Sequence, residues 1–79
     1  MYSINLYKDG VFRSQVGGEI RLLTEALKQF KALVKGLNAT EAEEIVALKF
    51  TDKDGAVCAL VLVDDFNQPI RNVKYTKED

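Results

Sequence analysis

Four aspartates arrive in two tight pairs: Asp52 and Asp54 within "TDKDGAV" (residues 51–57), and Asp64-Asp65 directly after the apolar run that follows. Paired carboxylates can hold a calcium ion or divide acid and base roles in a hydrolysis. The first pair opens like a calcium loop, Asp-x-Asp, but glycine follows the second aspartate directly, at Gly55. The bidentate glutamate such a loop needs at its twelfth position is also missing, because that position is Val63. Asp64 and Asp65 are adjacent, and adjacent residues at a strand end point apart. Both pairs therefore read as solvated turns, and no metal is expected.

The rest of the reactive inventory is thin. Histidine, the usual general base and a common metal ligand, does not occur. Cys58 sits in the middle of an apolar run on the expected core face and reads as a buried structural thiol. The two serines, Ser3 and Ser14, have no base within evident reach. Gly17-Gly18 ahead of a helical pattern could receive an anion at a helix N-terminus, but a bend from strand to helix explains it more simply. No catalytic residue, no cofactor site and no enzymatic activity are expected.

The 79 residues suit a single domain, 1–79, with 76–79 frayed. The 47% hydrophobic and 29% charged residues are ordinary for a globular chain. A net charge of −1 gives no global pull toward nucleic acid or anionic lipid, although residues 1–40 carry six basic and three acidic groups and 41–79 five and nine. One cysteine forms no internal disulfide, the first residues lack the pattern of a signal peptide, and the longest apolar run, Ala56–Val63, is far short of a membrane span. The expectation is a cytoplasmic protein with no membrane association.

The elements follow from two periodicities. Residues 2–7 alternate, with Tyr2, Ile4 and Leu6 on one side. "YKDGVF" (7–12) echoes the later Lys-Asp-Gly, and each reads as a three-residue hairpin loop with glycine in the left-handed region. The first hairpin then pairs Leu6 with Phe12 and Ile4 with Ser14, putting Phe12 in the core. The second pairs Phe50 with Cys58, Leu48 with Leu60 and Val46 with Leu62, and on its reverse Thr51/Val57, Lys49/Ala59, Ala47/Val61 and Ile45/Val63. Between them Glu19–Gly36 has the spacing of a helix whose apolar arc spans about 160° at ~100° per residue, broad enough to lie on a sheet. Residues 38–44 suggest a short extra turn capped by Thr40, with Glu43 at the capping-box position. Pro69 opens a final edge strand, Ile70–Tyr75.

These elements specify an α+β fold, ββαβββ, with an antiparallel sheet and one long amphipathic helix packed on one face. Two surfaces are then available to a partner. Residues 56–63 are apolar on both faces, and a single helix covers one of them. Ala47, Val57, Ala59, Val61 and Val63, with Ile45, Tyr7 or Tyr75 at the margins, form an apolar patch on the other. A second copy of the chain, in a homodimer, suits that patch. The alternative is nucleic-acid binding by a basic helix stripe, Arg21, Lys28, Lys31 and Lys35, although no aromatic residue interleaves with it. The expected function is therefore protein binding by a small non-catalytic module of adaptor or inhibitor type.

Overall fold

The computed structural model describes residues 1–72. Its elements are strands β1 (Tyr2–Lys8) and β2 (Val11–Ile20), helix α1 (Leu23–Val34), and strands β3 (Ala39–Glu41), β4 (Ala47–Thr51) and β5 (Val57–Val63). The five strands form one antiparallel sheet in the order β2-β1-β5-β4-β3, with α1 packed on one face. The fold is the expected α+β arrangement. No helix among the described residues is long and apolar enough to cross a membrane.

The core lies between α1 and one sheet face. Ile4, Leu48, Leu60 and Leu62 point up from the strands, Ala26 and Phe30 point down from the helix, and Ile20 closes one side. Ile4, Leu48 and Leu62 are at most 1% exposed, and each such side chain contributes about 1.5–3 kcal/mol by leaving water. The helix buries Ala26 and Phe30 fully and Leu27, Leu33 and Val34 partly, the i, i+1, i+4, i+7, i+8 stripe of a helix resting on a layer.

The second hairpin adopts the expected register from Phe50↔Cys58 to Ala47↔Val61. The first does not. Asp9 and Gly10 both take positive φ, 52° and 81°, so the corner is a two-residue turn and Lys8 faces Val11. Tyr7 then stands opposite Phe12, and a bulge at Arg13 sets Leu6 opposite Ser14. Phe12 consequently leaves the core for the reverse face, where it is 53% exposed and meets Tyr7 edge-on, with ring centroids 5.9 Å apart.

The remaining departures each have an identifiable cause. Gly17-Gly18 does not end the strand. Gly17, at φ +75°, lets residues 17–19 bulge opposite Ser3, after which Ile20 returns to the core face and is buried. The helix therefore starts at Leu23 rather than Glu19. Residues 39–41 form β3 instead of a capped helical turn, because the free edge of β4 offers Leu48–Phe50 as a pairing template and Ala39 gains burial beside Phe50. Ile45 does not pair with Val63. The chain after Pro69 enters between them, with Ile70 accepting from Val46 N–H at 2.8 Å and donating to Leu62 O at 2.9 Å. That segment bridges Val63 at Pro69 and Ile45 at Arg71, so it is not an edge strand up to Asn72. The remainder of Ile70–Tyr75, and the frayed end expected at 76–79, lie outside the described residues.

Phe30 joins helix to sheet at 4% exposure. Phe30→Ala is expected to cost ~3–5 kcal/mol, a large share of the stability of so small a domain. Thermal melting followed by circular dichroism reads this directly, and a shift of only a few degrees would contradict the packing.

Candidate functional site

In each aspartate pair the carboxylate of the first member is already engaged. Asp52 Oδ1 accepts from the backbone N–H of Asp54 and of Ala56, both at 2.9 Å. Its backbone N–H donates to Ala56 O, and Gly55 N–H donates to Asp52 O. Asp64 repeats every one of these bonds twelve residues later. Its Oδ1 accepts from Phe66 N–H at 2.9 Å and Gln68 N–H at 3.0 Å, its N–H donates to Gln68 O, and Asn67 N–H donates to Asp64 O. Gly55 and Asn67 occupy the same left-handed position, at φ 84° and 61°. The structural twin of the 52–56 loop is thus 64–68, not the earlier Lys-Asp-Gly. The first aspartate of each pair works as a loop brace at one end of β5, and among the described residues no group of acidic or sulfur side chains is arranged to hold a metal ion.

Cys58 is buried on the core face, its Sγ 3.8 Å from Ala56 O and 3.9 Å from Asp52 Oδ2. Lys8 from the first corner reaches Asp52 at 3.3 Å, so the two hairpin ends meet.

The basic stripe is shorter than its spacing implies. Arg21 precedes the helix, leaving Lys28, Lys31 and the C-terminal cap Lys35 on α1. All four are exposed, and none is in an ion pair among the described residues. Near Lys31 a groove of about 360 Å³ runs between α1 and the segments around Ile45, Val46 and Ile70; its described walls end at Asn72.

The reverse face is built in rows across the sheet. One row reads Thr40, Lys49, Ala59, Tyr7, Phe12; the next reads Ala47, Val61, Asn5, Gln15; Thr51–Val57 and Val63–Ser3 flank them. Of the five expected interface residues, Val57 is 54% exposed and Ala59 and Val61 are half-buried, while Ala47 and Val63 are buried within the chain. The accessible apolar surface therefore shifts toward Tyr7 and Phe12, which the register assumed for the first hairpin concealed. Beside it lies a groove of about 450 Å³, walled by Tyr7, Phe12, Gln15, Glu19, Asp64 and Asp65. Asn5, 6% exposed, lies in its floor and donates through Nδ2 to Asn67 Oδ1 at 3.0 Å.

The Asp52 carboxyl is held below its ordinary value, chiefly by the Ala56 N–H, with Lys8 and the Asp54 N–H adding to the effect and partial desolvation opposing it. A depressed folded-state pKa gives stability that is complete above the unfolded value, ~3.9, and is lost as pH falls through the folded one. Asp52→Asn keeps an acceptor but removes the charge. It is expected to melt below wild type at pH 7, with the gap closing as the pH falls below about 4. A gap that stays constant from neutral to acidic pH would show that the charge does not stabilise the loop.

No protein-family model matches the chain, and no match was found among curated proteins or solved structures.

Proposed function

We propose that the protein is a non-catalytic protein-interaction module of adaptor or inhibitor type that self-associates through the reverse face of its sheet. The observation that carries this reading is the row Ala59–Tyr7–Phe12 with Val57 and Val61 alongside. Helix α1 packs on the opposite face, and the 64–68 loop reaches Asn5 of this one through Asn67. Phe12 and Val57 are more than half exposed and have no part in the core, so their apolar surface is left for association. Flat faces of this kind pack against another sheet at a spacing of about 10 Å. In a two-fold dimer the same face serves both copies, and each substitution acts twice.

Nucleic-acid binding through Lys28, Lys31 and Lys35 is the second reading, supported by their exposure and the lack of ion-pair partners among the described residues. Binding that weakens steeply with added salt would favour it, and salt-tolerant association would favour the sheet face.

Val61 lies between Ala47 and Asn5, near the centre of the face. Val61→Lys is expected to convert a dimer to monomer by placing two unpaired charges in the interface, with the circular dichroism spectrum retained. Sedimentation velocity of both proteins at matched concentration measures this. A monomeric wild type at high concentration would remove self-association.

A further inference from the structure

Phe66 is the most exposed large apolar side chain among the described residues, at 83%, yet the loop that carries it is firmly braced. Asp64 Oδ1 accepts from the N–H groups of Phe66 and Gln68, and Asn67 N–H donates to Asp64 O. Asn5 Nδ2 reaches Asn67 Oδ1, Asp65 pairs with the Met1 amino group at 3.1 Å, and Pro69 bridges Val63. A ring held in water on such a loop gains nothing from its own fold, and little entropy is lost when a partner closes over it. We propose that Phe66 is an anchor that enters the groove beside α1 of another copy of the chain. The inference goes beyond the sheet-face association and uses different surfaces.

The receptor is the groove of about 360 Å³ along α1, where Leu27, Val34 and Ile45 supply apolar walls and are themselves only half-buried. Charge selects the acidic loop as its occupant. Phe66 directly follows two carboxylates, Asp64 and Asp65. The groove carries Lys31 and Arg71 against one carboxylate, Glu41, and Lys28 and Lys35 lie on the same helix one turn to either side of Lys31. The three lysines are exposed, with no ion-pair partner among the described residues. An apolar tip with an acidic collar thus meets apolar walls with basic surroundings. Loop and groove are different patches, so the contact is heterologous and joins copies head to tail. A sheet-face dimer presents two loops and two grooves, and these link dimers into longer assemblies. One ring and a few charges make a smaller contact than the sheet face, so it shows as growth beyond the dimer when concentration rises.

Sedimentation equilibrium over a concentration series tests this. The average mass of wild type should rise past the dimer. Phe66→Ala and Lys31→Glu, both at exposed positions, should each keep the wild-type circular dichroism spectrum and need at least about tenfold more protein to grow past the dimer. An equimolar mixture of the two should recover that growth, because the first variant keeps its groove and the second keeps its loop. If wild type stops at the dimer, if either variant grows as wild type does, or if the mixture shows no recovery, the Phe66 contact is wrong while the sheet face stands. If Val61→Lys associates like wild type and Phe66→Ala is monomeric, the contact stands and the sheet face fails. A wild type that is monomeric throughout removes both.

Discussion

The antiparallel pairing of β1 with β5 is the constraint on which the rest depends. It joins Ser3 to Val63 and Lys8 to Cys58, and so fuses two hairpins that are each local in sequence into one sheet. Neither hairpin could bury its apolar face alone, since isolated two-stranded ribbons are marginal in water. Once they are side by side, Ile4 and Leu6 stand next to Leu62 and Leu60, and α1 has a continuous surface on which to lay Ala26 and Phe30. The pairing costs the loop-closure entropy of the 48 residues between Lys8 and Val57, which grows only slowly with length.

Both ends of β5 are held by the same device. Asp52 ahead of the strand and Asp64 behind it each spend a carboxylate oxygen on two backbone N–H groups, and each loop places a glycine or asparagine where positive φ is required. Bracing both ends of the central strand stiffens the register on which the leucine face relies. It also explains why the chain carries aspartate pairs without metal chemistry: the first member of each pair is consumed locally.

The two faces divide the labour. The leucine face is closed by α1 and serves stability. The reverse face mixes valine, alanine and aromatic rings with Asn5, Gln15 and Lys49, a composition closer to a recognition surface than to a core. Asn5, the one buried polar side chain among the described residues, is held there by its bond to Asn67.

Much of the fold was legible from local pattern. Alternation in 46–51 and 57–62, with a glycine turn between, allowed a single register that puts Leu48, Leu60 and Leu62 together, and the helix stripe around Phe30 followed from its 3.6-residue period. Gly36 marked the helix end, where φ +88° needs glycine. What sequence could not resolve was competition between local and distant partners. Asp-Gly supports both two- and three-residue corners, and the two-residue corner, with Lys8 opposite Val11, decided which side Phe12 takes. Thr40 and Glu43 have capping chemistry, but the open edge of β4 claimed 39–41 as strand. Strand order, and with it the gathering of Glu19, Asp64, Tyr7 and Phe12 around one groove, arises from pairings between segments far apart in the chain. Sequence alone determined the periodic elements, because their signal lies within a few residues. Tertiary structure decided which faces those elements share, because that depends on which unpaired edges and apolar stripes find one another.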